Sequence, residues 1–395
     1  MKMEELVKNR LSDNSDIRVG IDVGSTTVKL VITDINTNDV VYSKYVRHNA
    51  RQIDTARTLL SEVKELLSGK NFKAAVCGSG GKPVSRALGI HYIQEVVANA
   101  AAVQRLYPDI RTAIELGGQD AKVIFFYFDD NTGRLMTSDM RMNGSCAGGT
   151  GAFIDEIATL LGVKTEEFES LAAKGTTVYD ISGRCGVFAK TDIQPLINEG
   201  APLSNLAASI FQAVVNQTIS GLACGHKIKG NVAFLGGPLT YMSELRNRFI
   251  QTLGLKPEEV IFPENSKYFV ALGAAFTAEK SSPVKIGAIL NKVKHVDALS
   301  MAGAKRIEPL FKDEEEYEAF KERHARAKIE RRDIKDAEGP LFLGIDAGST
   351  TTKAALIDRD KKLLYSFYRG NEGNPLATTK QMLKEVYDLI PEGAY

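Results

Sequence analysis

A ten-residue pattern occurs twice in this chain and constrains its fold more than any other feature. The pattern Gly-Ile-Asp-x-Gly-Ser-Thr-Thr-x-Lys begins at Gly20 and again at Gly344. Around the first copy, "IRVGIDV" and "TVKLVITDI" alternate apolar and polar residues, which predicts two strands joined by a Gly-Ser-Thr-Thr turn. Because the glycine closes a hairpin and does not open a helix, this is neither a Rossmann nor a Walker loop.

The residues that follow alternate between strand and helix patterns. The segments "VVYSKYVRH" and "FKAAVCGSG" predict strands, and "TARTLLSEVKELLSG" and "VVANAAAVQRLYP" predict helices. A second block of the same kind begins at "IRTAIELGGQDAKVIFFYFDD", continues through "NVAFLGGPL" and closes with a helix in "YFVALGAAFTAEK". The sequence therefore predicts an α/β protein with two lobes.

Changes in composition divide the chain into four predicted parts. They are a polar leader at residues 1–16, a two-lobed domain at 17–282, a charged helical linker at 283–339, and the start of a second copy at 340–395. The last part has room for three strands and one helix, fewer elements than a domain needs. We therefore expect the sequence to be a fragment of a longer chain.

Charge and hydropathy exclude several classes of function. With 395 residues and a formal net charge of +1, the protein lacks the basic character of a nucleic-acid or anionic-membrane binder. No stretch resembles a signal peptide or membrane helix, so we expect a cytoplasmic protein with neither nucleic-acid nor membrane partners. In that compartment the four cysteines are expected to be thiols and not disulfides.

Glycine turns occur at the start, middle and end of the predicted domain. They lie in "DVGSTTVK", "ELGGQDAK" and "LGGPLTYM". Such turns allow backbone amides to approach phosphate oxygens closely. Their combination resembles the phosphate-1, phosphate-2 and adenosine segments of the actin, Hsp70 and sugar-kinase superfamily. A further glycine segment, "CGSGGKPV", is not a Walker loop, because Pro83 replaces the required Ser or Thr.

This resemblance implies two lobes of RNase-H-like topology with ATP or ADP and Mg²⁺ in the cleft. It implies catalytic roles for Asp22, near magnesium, and for Gln119 and Asp120, which would orient the attacking water. Lys29 either contacts phosphate or points to solvent from its strand, and Glu115 belongs near magnesium. The implied nucleotide-binding residues are Gly24, Ser25, Thr26, Thr27, Lys29, Glu115, Gly117, Gly118, Gly236, Gly237 and Pro238.

Two of the cysteines lie beside glycines at predicted helix N-termini. Cys146 occurs in "NGSCAGGTGAF" and Cys185 in "GRCGVFAKTDI". Helix amides and the helix dipole stabilise a thiolate or an anionic cluster there. Since a 4Fe-4S cluster needs four ligands, a twofold dimer contributing both cysteines from each protomer would supply them. Cys77 and Cys224 are expected to pack as small buried apolar residues.

The motifs in this order, from Arg18 to Lys280, resemble the ATP-dependent activators of 2-hydroxyacyl-CoA dehydratases and the related ATPase subunits of benzoyl-CoA reductase. The resemblance implies a homodimer with one 4Fe-4S cluster held by Cys146 and Cys185. It also implies ferredoxin or flavodoxin as electron donor and a dehydratase- or reductase-type acceptor. The linker and second copy resemble the long, multidomain members of the family.

Two other classes of protein share the predicted fold. One is a small-molecule kinase, in which Asp120 would act as general base toward a substrate hydroxyl. The other is an actin-like or Hsp70-like assembly protein without a redox role. Neither class explains the two cysteine loops, and a brown colour after anaerobic purification would distinguish the activator from both.

Overall fold

The computed structural model describes residues 17–143, 148–294, 307–371 and 373–395. They form two compact units. The first comprises the described residues within Met1–Ala158, Lys164–Ala189 and Ser204–Ala302. The second comprises those within Thr159–Val163, Lys190–Leu203 and Gly303–Tyr395.

Strands and helices alternate along most of the described chain. The strands are β1 Ile17–Val23, β2 Thr27–Asp34, β3 Val40–Arg47, β4 Lys73–Cys77, β5 His91–Tyr92, β6 Thr112–Leu116, β7 Ala121–Asp129, β8 Arg134–Met142, β9 Val232–Leu235, β10 Val260–Ile261, β11 Phe342–Ala347, β12 Thr351–Ile357 and β13 Leu363–Gly370. The α-helices are α1 Gln52–Glu62, α2 Lys64–Leu67, α3 Gly81–Leu88, α4 Glu95–Leu106, α5 Gly151–Leu160, α6 Thr165–Ala172, α7 Gly186–Asn198, α8 Leu203–Leu222, α9 Gly237–Tyr241, α10 Ser243–Leu253, α11 Phe269–Thr277, α12 Ile286–Lys294, α13 Glu314–Ala325 and α14 Pro375–Leu389. Among these described helices, none combines the length and apolar character needed to cross a bilayer.

The first unit contains two sheets with the same strand order. One is β3-β2-β1-β4-β5 and the other, read in the same sense, is β8-β7-β6-β9-β10. In each sheet the three strands that come first in the chain are antiparallel neighbours. The fourth strand pairs in parallel with the first, and the fifth pairs in parallel with the fourth. Each lobe therefore starts with a hairpin whose first strand becomes the central strand of its sheet.

Strand β1 is buried along its whole length because helices cover both faces of its sheet. On one face, Ile17, Val19 and Ile21 belong to a core with α1, α3 and α12. On the other face α11 approaches so closely that a Cβ on Gly20 would lie 1.9 Å from the Ala271 carbonyl oxygen. Only glycine allows this backbone contact.

Helix α11 also makes a close contact with α4 and joins the two lobes. A Cβ on Gly273 would lie 1.6 Å from the Ala98 carbonyl oxygen. The same apolar core contains Val31 from the first sheet, Ile124 from the second and Ala271 from α11. The two lobes therefore share one packed interior around α11.

The end of the first unit differs from the predicted boundary at residue 282. Val284 pairs with Phe72, and Ile286 and Ile289 of α12 are buried in the core of the first lobe. The spacing of these two isoleucines places both on one face of a short helix. The surrounding lysines give this segment a linker-like composition that conceals its apolar face. By contrast, α13 contains no buried residue.

The second copy of the repeat forms β11, β12, β13 and α14, with strand order β11-β12-β13. Its small core includes Ala354, Leu356, Phe367 and Met382. All six residues of β11 are exposed, whereas every residue of β1 is buried. Within the described part of the second unit, no strand pairs with the outer edge of β11.

The contact at Gly273 predicts a large effect of one methyl group. Gly273→Ala should lower the free energy of unfolding by about 3 kcal/mol, since the added Cβ meets backbone that has no room to move. Gly287→Ala, at an exposed site of α12 with nothing within 4 Å, should instead raise it by about 0.5–1 kcal/mol. Chemical denaturation measures both. Equal effects at the two positions would contradict the assigned α11–α4 contact.

Candidate functional site

The phosphate-1 hairpin places an acid and a lysine opposite each other at its closed end. Asp22, the penultimate residue of β1, is in register with Lys29 on β2, and the Lys29 Nζ lies 2.6 Å from the Asp22 Oδ2. Both side chains are buried. Burial lowers the pKa of Lys29, but the charges of Asp22, Tyr45 and Glu115 outweigh this and leave it above its ordinary value. Of the two alternatives for Lys29, the solvent-facing one is therefore wrong.

The second carboxylate oxygen of Asp22, Oδ1, is in a different environment. Oδ1 is buried and accepts no hydrogen bond from the described residues. Gly78, which follows the parallel strand β4, has a φ of 95° and lies beside it, and a Cβ there would be 2.6 Å from this oxygen. An unshared carboxylate oxygen suits Mg²⁺, which commonly uses one carboxylate together with water and phosphate oxygens. The segment that resembles a Walker loop therefore borders the site through Gly78.

The phosphate-2 hairpin repeats the pairing of an acid with a lysine. The buried Lys122 Nζ lies 2.6 Å from Glu115 Oε2 and 3.4 Å from Oε2 of Glu95, the first residue of α4. Burial raises the pKa of Glu95, and the positive charge of Lys122 lowers it. The negative charges of Asp22 and Glu115 raise it further, so that the pKa of Glu95 is about 7. Glu95 and Lys122 are absent from the predicted site. Lys122 could be found from its spacing, since it follows Glu115 by the seven residues that separate Lys29 from Asp22.

The three glycine turns meet around one cavity of about 400 Å³, a size that accommodates a nucleotide. A Cβ on Gly118 would lie 2.3 Å from Thr26 Oγ1, so the two phosphate turns are in contact. Gly236 has a φ of 94° and lies against the Leu116 carbonyl oxygen. The predicted residues that line the cavity are Thr26, Thr27, Lys29, Gly117, Gly118, Gly237 and Pro238.

The other predicted residues lie around the cavity without lining it. Asp22 and Glu115 are buried beside it. Gln119 is exposed and Asp120 is half-buried. Their carbonyl groups stabilise the turn, since Asp120 O accepts the Gly117 N–H at 2.7 Å and Gln119 O accepts a side-chain N–H from Asn143 at 3.2 Å. The catalytic role of these two side chains stays a prediction.

Aromatic side chains from both lobes form one wall of the cavity. Tyr45 follows the phosphate-1 hairpin on β3, and its ring meets that of Tyr241 edge-on at 6.1 Å. Lys267 Nζ donates a hydrogen bond to Tyr241 Oη at 2.9 Å and lies 4.9 Å from that ring's centre. Such a wall suits a planar aromatic base. No motif in the sequence indicates it, because the contacts join residues far apart in the chain.

The loop before α5 is hydrogen-bonded to the phosphate-2 turn at both of its ends. Before residues 144–147, Asn143 Oδ1 accepts the Ala121 N–H at 2.7 Å, and its Nδ2 donates to Gln119 O. After them, the N–H groups of Gly151 and Ala152 donate to the Gly117 and Gly118 carbonyl oxygens at 3.1 and 2.6 Å. The residues on both sides of this segment are therefore hydrogen-bonded to the same turn.

Of the two predicted cluster ligands, Cys185 is described and Cys146 lies outside the described residues. Cys185 is half-buried and directly precedes α7. Gly148 follows Cys146 by two residues, and a Cβ on Gly148 would lie 2.2 Å from the carbonyl oxygen of Arg184. Sequence neighbours of the two cysteines are thus in contact, which fits a shared metal centre.

The remaining cysteines differ from each other. Cys77 is buried as predicted, and burial raises its pKa well above the ordinary value. Cys224 is exposed, so the prediction that it packs in the interior is wrong. Helix α8 ends at Leu222, and Cys224 lies in the following turn with a φ of 46°. Across the described residues, no group of three or more His, Cys, Asp or Glu side chains is arranged to hold a metal ion.

A sequence profile covering residues 19–278 matches the BadF/BadG/BcrA/BcrD ATPase family. The chain belongs to this family. It is 33% identical over 269 residues to the 2-hydroxyisocaproyl-CoA dehydratase activator of Clostridioides difficile. This match covers 66% of this chain and 94% of that protein. It is 29% identical to the (R)-2-hydroxyglutaryl-CoA dehydratase activating ATPase of Acidaminococcus fermentans, over 67% of this chain and 97% of that protein.

A solved structure agrees with these sequence relationships. The Clostridium difficile 2-hydroxyisocaproyl-CoA dehydratase activator with bound ADPNP is similar to this chain with a TM-score of 0.56 and 27% identity. The similarity covers 74% of this chain and 100% of the activator chain. The predicted membership of the activator family and the predicted two-lobed actin/Hsp70-like fold are confirmed. The protein is an ATPase of this family.

The buried charges of Glu95, Glu115 and Lys122 predict a specific dependence of stability on pH. The pKa of Glu95 is about 7 in the folded ATPase and 4.5 without its surroundings. The folded state therefore binds more protons between these values, and the contribution of Glu95 to stability declines as pH rises through this window. Between pH 5 and pH 8, the wild type should lose about 1–2 kcal/mol of unfolding free energy more than Glu95→Gln.

Urea denaturation at the two pH values measures this difference. Glu65→Gln serves as the control, because Glu65 is exposed on α2. The control should follow the wild-type pH dependence. If Glu95→Gln also follows it, Glu95 does not carry the assigned interaction.

Proposed function

We propose that this ATPase uses ATP to drive single electrons to an acceptor enzyme of the dehydratase or reductase type. Ferredoxin or flavodoxin would supply the electron, and a 4Fe-4S cluster shared by a homodimer would carry it. Two relatives that match this chain over nearly their whole length are named for activating 2-hydroxyacyl-CoA dehydratases, which supports this class of acceptor. The observation that carries the proposal is the hydrogen bonding of Asn143 on one side of Cys146, and of Gly151 and Ala152 on the other, to the phosphate-2 turn.

Groups in and beside the cavity would suit a magnesium nucleotide. The turns at Thr26 and Gly118 would contact the phosphates through amides and hydroxyls, and Lys29 would neutralise part of their charge. Asp22 Oδ1 would hold the metal through its water shell. Magnesium, when bound, withdraws negative charge from the phosphate oxygens. The aromatic wall at Tyr45 and Tyr241 would receive the base.

Hydrolysis requires a group that orients a water molecule and accepts its proton. In this step the water oxygen bonds to the γ-phosphorus, the bond to the ADP oxygen breaks, and the water proton moves to a base. We assign the base to the Glu115 and Glu95 carboxylates that share Lys122. Gln119 and Asp120 are the alternative assignment, since none of these four side chains lines the cavity.

The cysteine pair suits a cluster on a dimer axis. Cys146 and Cys185 from two protomers would provide four thiolates, and a 4Fe-4S cluster, when bound, accepts and releases one electron. Directly after Cys185, the side chains of Val187 and Phe188 are 69% and 64% exposed. Adjacent exposed apolar residues are typical of a protein contact. Their position supports an interface beside the cluster ligands.

The hydrogen-bonded ties would link the nucleotide to the cysteines. A change from ATP to ADP would alter the contacts of the Gly117–Gly118 turn, whose carbonyl oxygens accept the first amides of α5. Asn143 holds the opposite end of the loop on the same turn. A displacement of the turn would therefore move both ends of the loop together. This gives the nucleotide a direct route to the environment of the thiolates.

The two copies of the repeat predict different effects of the same substitution. Asp22→Ala should reduce ATP hydrolysis at least roughly 100-fold, because Asp22 is buried beside the cavity and is proposed to hold magnesium. Asp346→Ala should leave hydrolysis unchanged, since Asp346 is exposed at the corresponding place of the second copy. Phosphate release measures both. Equal losses would mean that the second copy contributes to the active site.

The cluster proposal predicts the iron content of the protein. Anaerobically reconstituted protein should be a dimer with about two irons per protomer. Cys185→Ala should lose the iron and retain ATP binding, whereas the exposed Cys224→Ala should retain both. Iron analysis with size-exclusion chromatography and ATP titration tests this. Full iron content in Cys185→Ala, or four irons in a monomer, would contradict the assignment.

A further inference from the structure

His48 directly follows β3 and forms several hydrogen bonds around the phosphate-1 turn. It is buried, its N–H donates to Thr26 O at 3.1 Å, and its Nε2 lies 3.1 Å from Gly24 O. Its Nδ1 accepts the Ala50 N–H at 3.1 Å. Because Nδ1 is an acceptor, the proton of the neutral ring is on Nε2, which donates to the Gly24 carbonyl.

The backbone after His48 is held in an unfavourable conformation that supports this contact. Asn49 and Ala50 have φ values of 47° and 63°. Left-handed conformations of this kind cost about 1–2 kcal/mol for a residue such as alanine. They persist where the surrounding structure determines them. Here they direct the Ala50 amide toward the ring and so fix its tautomer.

The second copy forms the same contact with a different side chain. Asn371 directly follows β13, and its N–H donates to Thr350 O at 2.9 Å. Its Nδ2 donates to Gly348 O at 2.7 Å, the position that corresponds to Gly24. Asn371 is buried even though the neighbouring strand β11 is exposed.

The surrounding residues differ between the copies in a way that preserves this hydrogen bond. In the second copy Thr352 Oγ1 donates to Asn371 Oδ1 at 2.7 Å, and Gly373 has a φ of 78°. In the first copy the corresponding residues are Val28, which has no hydroxyl, and Ala50. The acceptor atom of His48 is satisfied by the Ala50 amide instead. Two sets of residues thus hold the same glycine carbonyl.

We propose that His48 is a positioning residue that fixes the phosphate-1 turn for nucleotide binding. A trans peptide places its carbonyl and amide on opposite sides. Holding the Gly24 carbonyl therefore directs the Ser25 N–H away from His48, as an anion-binding turn requires. His48 does not line the cavity, so it acts through the turn. This inference rests on the proposed nucleotide site.

The experiment measures binding of Mg-ATP by calorimetry to four proteins of the full chain. They are the wild type, His48→Ala, His48→Asn, and Val28→Thr combined with His48→Asn. Loss of the hydrogen bond to Gly24 should weaken binding roughly tenfold in His48→Ala. His48→Asn should recover part of the affinity. The double variant should approach the wild type, because it restores the donor and acceptor pair of the second copy.

Steady-state hydrolysis gives a second measurement. His48→Ala should raise KM for ATP more than it lowers kcat, since the turn and not the reacting group is changed. Asn371→Ala is the matched control and should leave both constants unchanged, because it removes the same hydrogen bond from the second copy.

The outcomes separate this inference from the proposed function. Wild-type affinity in His48→Ala would overturn the positioning role. The role would also be overturned if both variants with His48→Asn bound Mg-ATP as weakly as His48→Ala while all of them kept the wild-type melting temperature. If His48→Ala does not fold, recovery in the double variant supports the role. A wild type that binds no Mg-ATP would overturn the nucleotide site itself.

Discussion

The buried pairing of an acid with a lysine across a hairpin is the interaction on which the site depends. Asp22 and Lys29 form this pair in the first lobe, and Glu115 and Lys122 form it in the second. Removing such charges from water is costly, so a buried pair by itself adds little to stability. Its effect is to place two ammonium groups and two carboxylates at the closed ends of two hairpins that touch. This is an arrangement suited to holding phosphate and metal together.

The packing around α11 keeps these charges away from bulk water. Gly20 allows α11 to lie directly on β1, and Gly273 allows it to lie directly on α4, whose first residue is Glu95. The same helix therefore covers the central strand of one lobe and positions a carboxylate beside the lysine of the other. The high pKa of Glu95 follows from that burial. Close backbone contacts thus determine the electrostatics of the cleft.

The sequence predicted the features that arise from local pattern and missed those that arise from distant contacts. The hairpins and glycine turns follow from period-two alternation and from glycines between strands. The packing of α12 into the first lobe was not predicted because Ile286 and Ile289 lie among lysines. Cys224 was placed in the interior because the apolar pattern of α8 extends beyond its last turn. Glu95 approaches Lys122, and Gly78 approaches Asp22, only through the fold, so no motif identifies these contacts.

Comparison of the two copies separates what the hairpin determines from what the first unit adds. In the second copy Asp346 and Lys353 remain 2.9 Å apart, and the Gly348 N–H still donates to Thr351 O, although β11 is exposed. The turn geometry is therefore encoded locally, within the repeated residues and the side chain that follows the third strand. Burial of the lysine and the presence of a second turn come only with the complete two-lobed unit. Shaping a phosphate turn and creating a site that hydrolyses ATP are thus separate steps, and the second depends on packing that the repeat alone does not supply.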